Sequence, residues 1–416
     1  MNALIKSATI IDSNSEFNNT TQDILIENGS IIKIDKTIPN TNNYKEITFD
    51  NLHVSQGWFD SSVCFGEPGF EDRETIVNGL KTAAASGFTT VAMQANTNPV
   101  IDSNSDVIFI KSKAQDNAVE LLPIGALTEH SDSKHLAELF DMKSAGAVAF
   151  YDYKKPISNP NLLKIALQYT NGFGGLVYSF PQENKIAGLG VMNENVTSTT
   201  IGLKGNPSLA EALQVARDLY ILEYTEGALH IPTISTAESV DLIRKAKAKQ
   251  LNVTCSVAIH NLILTDDVLT DFNTHYKVLP PLRTKTDVDA LIEGIKDGTI
   301  DMVTSDHNPI TIEGKKVEFD YAEYGTIGLE SAFGALQTIF STEETIKLLT
   351  SGRSLFGSTN TTIKEGEKAN ITLFNPDKEY IFSTEHIHSK SKNSLFLDHT
   401  LKGIVYGIIA NTKIAL

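Results

Sequence analysis

Gly57-Trp58-Phe59-Asp60-Ser61-Ser62-Val63-Cys64-Phe65-Gly66-Glu67-Pro68-Gly69 reads as an apolar strand ending in a polar, glycine-punctuated loop. Seven more apolar runs of similar length follow: Phe88 to Ala95, Val119 to Leu127, Ala147 to Tyr151, Gly175 to Phe180, Ala228 to Ile234, Asn252 to Ile259 and Asp301 to Ser305. Helix-period segments come after most of them, among them Glu74 to Ala85, Ser208 to Tyr224, Ala237 to Lys249 and Thr286 to Ile295. Eight βα units in this order predict an α/β fold of the closed parallel type, a (β/α)8 TIM barrel, rather than an open doubly wound sheet. The Gly172-Phe173-Gly174-Gly175 segment precedes its strand instead of following it, so it reads as a turn and not as a dinucleotide fingerprint.

Outside the barrel the pattern changes. Residues 1 to 53 hold short β-like runs, such as Asp23-Ile24-Leu25-Ile26-Glu27, separated by Asn/Thr-rich turns. The carboxyl-terminal 50 or so are alike, with Ala369 to Phe374 and Gly403 to Ala410. The pattern therefore divides the chain into three parts, a β-like segment at each end and the strand-and-helix segment between them. A chain of 416 residues with 41% hydrophobic content can bury a core of that size. A formal charge of -16 disfavours nucleic acid or an anionic membrane as partner. No apolar run reaches the length of a membrane span, and the Met1 to Lys6 start lacks a signal-peptide core, so a cytoplasmic location is expected. Two cysteines, Cys64 and Cys255, offer no disulfide framework or paired-cysteine metal site.

In such barrels chemistry sits where the strands end. Those ends supply Ser62 and Cys64, Asn96, Asp152, Pro181, Thr233, His260, and Asp306 with His307. A hydrolytic metal site needs several imidazoles or carboxylates converging around an open water position. Here two carboxylates and two histidines come from separated strands. His386 and His388 form the sole His-x-His pair, in the carboxyl-terminal segment, and read as solvated surface. His260 and His307 read as satisfied core or rim histidines, Cys64 as a small buried hydrophobe, and Asp152 and Asp306 as structural carboxylates before catalytic ones.

Several segments, in order over some 330 residues, resemble the dihydroorotase branch of the amidohydrolase superfamily. They include Glu67-Pro68-Gly69-Phe70-Glu71, Ala83 to Val91, Asn96-Thr97-Asn98-Pro99-Val100, Gly146 to Asp152, Pro280-Pro281-Leu282-Arg283, Thr304-Ser305-Asp306-His307, Gly328-Leu329-Glu330 and Ser389 to Ser394. The resemblance implies a metal-dependent cyclic amidohydrolase barrel, 54–363, whose two chain ends, 1–53 plus 364–416, pair into a small β-sandwich. Carried over position by position, it puts the metal histidines on Ser62, Cys64, Pro181 and Thr233, and the substrate-gripping arginine on Gly66. An asparagine and a histidine on the substrate side fall on Leu279 and Ile310. Asn96 is retained as a substrate-side residue, Asp152 at the bridging-ligand position and Asp306 as the general acid/base.

Serine and threonine hydroxyls are poor zinc ligands and proline is none. Without zinc the attacking water is not acidified toward neutrality. General-base help from Asp306, about 10²–10⁴-fold, falls far short of enzymatic rates. The resemblance therefore implies a member of pyrimidine biosynthesis with no metal cofactor, catalytically silent and kept as a structural or regulatory partner. Self-association and pairing with aspartate transcarbamoylase, a partner of degenerate barrels of this kind, are the expected assemblies. The alternative is an active cyclic-amide hydrolase with a rebuilt or metal-free site.

Overall fold

A computed structural model describes residues 1–358 and 361–416. Eight parallel strands form the barrel: Trp58–Val63, Phe88–Met93, Glu120–Gly125, Ala149–Phe150, Val177–Tyr178, Leu229–Ile231, Val253–Ala258 and Met302–Thr304, hydrogen-bonded in chain order. Each lies inside an apolar run of the sequence. The first strand is buried at every position, as expected of a strand covered on both faces. A buried carboxylate spans the closure between the eighth strand and the first. Asp60 Oδ1 accepts from Thr304 Oγ1 at 2.6 Å and Asp60 Oδ2 from the Ser305 amide at 2.8 Å. The Cys64 amide also donates to His307 O at 2.8 Å, beside a Val63–His307 bridge.

The outer helices Ile76–Ala85, Ser208–Thr225, Ala237–Ala248 and Lys285–Lys296 match the helix-period segments within about two residues at each end. Three begin on a threonine (Thr75, Thr236, Thr284) whose side chain accepts a backbone N–H of the first turn.

Both chain ends enter one eight-stranded sheet. Along it run Lys413–Ala415, Thr400–Ala410, Ile371–Ile381, His53–Gln56, Ala3–Ile11, Thr21–Glu27 and Ser30–Asp35, with Lys45–Ile47 pairing beside Ala3–Ile11. Ile5, Ile24, Val54, Ile371, Leu373 and Ile409 build a core of its own. The division expected at 53/54 falls inside a strand, because His53–Gln56 pairs with Ile371–Phe374. The crossing into the barrel comes at Gly57, where a Cβ would lie 2.1 Å from both Asn370 Oδ1 and Thr89 Oγ1. Only glycine fits so close a junction. Gly172 to Gly175 forms the turn before the fifth strand, with Gly174 at φ +65°. Among the described residues no helix is long and apolar enough to cross a membrane.

Candidate functional site

At the carboxyl ends of the strands the centre of the mouth is an ion pair that sequence reasoning missed. Lys154 Nζ stands 2.7 Å from Asp306 Oδ2, with side chains only 9% and 2% exposed. Around it, Tyr153 Oη donates to Asp306 Oδ1 at 3.4 Å and Ser62 Oγ approaches the same oxygen at 3.5 Å. Gln94 Nε2 in turn donates to Ser62 Oγ at 3.2 Å. The Cys64 thiol lies among Tyr153, Asn96, Lys154 and Asp306. Burial pushes the Asp306 carboxyl above the usual carboxylate range, and the Lys154 ammonium and its hydrogen bond pull it back.

Three residues at strand ends hold left-handed backbone: Lys154 (φ 53°), Thr233 (φ 47°) and Asp306 (φ 49°). Each costs roughly 1–2 kcal/mol relative to the right-handed region, and such strain concentrates at sites. The sequence signal for Lys154 was present in Tyr151-Asp152-Tyr153-Lys154-Lys155, a cation directly beyond the fourth strand. Its inward turn depends on the positive φ, which a lysine does not advertise.

Asp152 is occupied by the loop after the third strand. Its Oδ1 accepts the Leu127 and Thr128 amides at 2.9 and 3.0 Å, and its Oδ2 the Thr128 hydroxyl at 2.5 Å. Both oxygens therefore fasten the loop after the third strand, and burial raises the carboxyl's pKa. Pro181 is buried and brings no donor atom. Burial pushes the Cys64 thiol up to about 12, so it stays protonated. A zinc site of the family's design would need these positions as ligands. The side chains present do not fit it: one has no donor, one thiol is held protonated, one carboxylate is spent on amides and the other is paired with an ammonium. Among the described residues no three His, Cys, Asp or Glu side chains converge as a metal-binding group.

The substrate-side positions differ as well. Gly66 has φ +71°, and a Cβ there would meet Phe70 O at 2.5 Å, so an arginine does not fit this loop. Ile310 is buried. Leu279 lines a rim cleft of about 690 Å³ together with Gln182, Lys277 and Tyr324. His307 accepts the Gly328 and Leu329 amides at Nδ1 (3.2 and 3.4 Å), which makes it a clamp for the helix that follows. The expectation of satisfied histidines needs correction at both positions, since the Nε2 atoms of His307 and His260 are each buried without a partner. At His260, burial, with Lys154 nearby, takes the pKa down to about 3. Gln94 Oε1, Asn96 Oδ1, Thr233 Oγ1, Tyr178 Oη and Ser305 Oγ are likewise buried and unpaired. His388 is exposed, whereas His386 is half-buried and its Nδ1 accepts the Ser383 amide at 3.1 Å.

The segments shared with dihydroorotases serve the frame. Glu67 accepts the amide of Ile76 at 3.0 Å at the start of the first barrel helix. Glu74 receives Thr75 and Lys390 amides, at 2.8 and 2.9 Å. Glu330 receives Ser389, and Asn393 receives Ile310.

Comparison with known proteins agrees with this frame. The sequence pattern of the family described as Dihydro-orotase-like matches residues 53–239. The chain is 39% identical to the dihydroorotase of Acetivibrio thermocellus, covering 99% of this chain and 98% of that one. It is 40% identical to the dihydroorotase of Thermoanaerobacter sp., covering 97% and 95%. Among solved structures, the L-hydantoinase (dihydropyrimidinase) of Arthrobacter aurescens superposes with a TM-score of 0.85 over 99% of this chain and 95% of that one, at 20% identity. That likeness speaks to the barrel fold alone.

Proposed function

The chain belongs to the dihydroorotase family, and we propose that in this member a buried lysine–aspartate pair stands where the family's metal-activated water would be. On this reading it is a dihydroorotase-like protein of pyrimidine biosynthesis whose barrel has become a structural or regulatory component. The Lys154–Asp306 pair carries the reading. An ammonium 2.7 Å from the retained carboxylate already neutralises it, and a divalent cation beside that ammonium would be repelled. Aspartate transcarbamoylase and a second copy of the chain are the proposed partners.

The test is hydrolysis of dihydroorotate by purified protein, with and without added zinc, alongside elemental analysis of protein prepared without added metal. Metal-free protein with no dose-dependent turnover is expected. Stoichiometric zinc, or turnover that vanishes in Asp306→Ala, would overturn the reading.

A second reading has its own support. Relatives 36–40% identical along nearly the whole chain carry the name dihydroorotase, and unpaired polar atoms line the mouth. That favours an active cyclic-amide hydrolase with a rebuilt site. The same assay separates the two.

A further inference from the structure

Two lysines outside the strand-end pair are buried against carbonyl oxygens instead of carboxylates. Lys315, which ends the short helix Ile312–Lys315 after the eighth strand, and Lys277, on the loop after the seventh, are each 2% exposed. Lys315 Nζ donates to Thr274 O at 3.0 Å and to Lys277 O at 3.1 Å. Lys277 Nζ donates to Phe319 O at 2.7 Å and to Asp320 O at 2.9 Å. It also lies 5.5 and 4.9 Å from the ring centroids of Phe319 and Tyr324, so carbonyl dipoles and ring faces together suit an ammonium there. Lys315 differs. Among the described residues it has no aromatic face and no ion pair, and Glu323, whose charge reaches it, is itself bound to Arg73 at 2.9 Å. An ammonium has three N–H groups and no lone pair, whereas an amine has two and one. The two carbonyls around Lys315 match the amine.

We infer that Lys315 is a reactive amine that captures a small aldehyde or ketone as an imine. The residue lines two clefts, of about 730 and 760 Å³, and shares both linings with His275 and Ile312. An electrophile in either cleft therefore meets Lys315 in the wall. His275 Nδ1 is buried at the same wall without a partner, and in the tautomer protonated there it can donate to a carbonyl oxygen. Burial first, then the charges of Lys277 and Lys154, bring the Lys315 pKa down to about 7. Desolvation beside a second cation is a recognised way of freeing a lysine for attack on carbonyl compounds. In the step itself the Nζ lone pair attacks the carbonyl carbon, and one amine proton passes to the oxygen to give a carbinolamine. That hydroxyl leaves as water with the second amine proton, and a C=N bond remains. Neither backbone acceptor is orphaned by the change. Thr274 O keeps the Lys277 amide and Lys277 O the Gly325 amide, both at 3.1 Å. The site shares no residue with the Lys154–Asp306 pair and stands whether or not the mouth is catalytic.

The test is reductive alkylation of the full-length native protein with butanal and cyanoborohydride, read by peptide mass spectrometry. At pH 7.5 about three quarters of Lys315 is free amine, against about one in a thousand of an exposed lysine near 10.4. Lys315 should therefore gain the butyl group at least tenfold faster than the exposed Lys36 and Lys413. Its rate should level off by about pH 8, whereas theirs keeps rising to about pH 9 and beyond. In urea the advantage should vanish and the three lysines react alike. A Lys315 that stays unmodified until urea unfolds the chain overturns the inference. So does one that reacts no faster than Lys36 and Lys413, or that follows their pH dependence.

Discussion

Replacing Lys154 by methionine removes the ammonium and keeps most of the stem. The gross attraction across 2.7 Å at an effective dielectric of 20 is about 6 kcal/mol, but desolvation of both groups returns much of it. What remains in Lys154→Met is a buried carboxylate with only Tyr153 and Ser62 as donors, at 3.4 and 3.5 Å. The expected loss is about 3–5 kcal/mol. Asp306→Asn should cost less, about 1–3 kcal/mol, because the lysine stem can turn its charge toward solvent whereas Asp306 cannot move from the strand end. The left-handed backbone at both positions is common to all variants and cancels. The double variant should then lose less than the two singles combined, by about 2 kcal/mol or more. Urea unfolding followed by the fluorescence of Trp58, the chain's only tryptophan, and by far-UV circular dichroism measures each corner of the cycle. The loss in Lys154→Met should also depend on pH. Burial already raises the Asp306 carboxyl, and removing the ammonium raises it further. A raised carboxyl lends stability below its unfolded pKa and loses it as pH rises through the folded one, so the variant should suffer more at pH 8 than at pH 5. Single losses under about 1 kcal/mol with strictly additive effects would refute a buried pair at the centre of the mouth.

The remaining expectations concern the groups around it. His230 and His260 have folded pKa values near 3 because burial disfavours their charged forms. The unfolded chain binds more protons between about pH 6.5 and 3, so these two contribute stability above pH 6.5 that is lost on acidification through that window. Imidazole resonances that stay neutral at pH 5 would agree, and titration near 6.5 would not. Cys64 and Cys255, buried with thiols pushed up to about 12, should resist a thiol reagent in the native state and react once urea unfolds the chain. Asp60→Ala should cost about 3 kcal/mol or more by opening the seam between the first and eighth strands, leaving the Ser305 amide and Thr304 hydroxyl unpaired. A cost below 1 kcal/mol in urea unfolding would mean the seam is held elsewhere.

Apolar runs interrupted by helix-period segments made the eight barrel strands and the main outer helices legible, because burial on both faces of a parallel strand leaves an unmistakable run. The terminal β-rich segments were legible from short β-like runs set between Asn/Thr-rich turns. Their edge was not, since His53–Gln56 is polar at all positions but Val54 and reads as connection until its partner Ile371–Phe374 is known. In the site, the identities at Ser62, Cys64, Pro181 and Thr233 could be read directly. The pairing of Lys154 with Asp306 and the engagement of Asp152 with Leu127 and Thr128 could not, because one depends on a left-handed backbone at Lys154 and the other on which amides lie near. The mixed inward face of Ser208–Thr225, where Glu211 and Asp218 lie buried beside Val215, Leu219 and Leu222, was not legible either, because the two carboxylates turn in only to meet Ser235 and Ser179.

The residues shared with dihydroorotases divide by what else they hold. Asp60 closes the barrel seam, Glu67 and Glu74 tie the first loop to the first helix and the carboxyl-terminal segment, and Glu330 and Asn393 fasten that segment to the eighth-strand loops. Each would leave buried amides unpaired if replaced, a cost of about 1–3 kcal/mol apiece whatever the chemistry of the mouth. Ser62, Cys64, Pro181 and Thr233 sit at strand ends where small or apolar side chains carry no such debt. Asp152 belongs to the first group, since its oxygens fasten Leu127 and Thr128. Asp306 is the exception that tests the division: it fastens no neighbouring amide, and its buried charge is matched by Lys154 alone among the cations. Under the proposal, a lysine and a dication are alternative partners for one buried carboxylate. On the proposed reading, the lysine is what let the ligands go without unfolding the mouth.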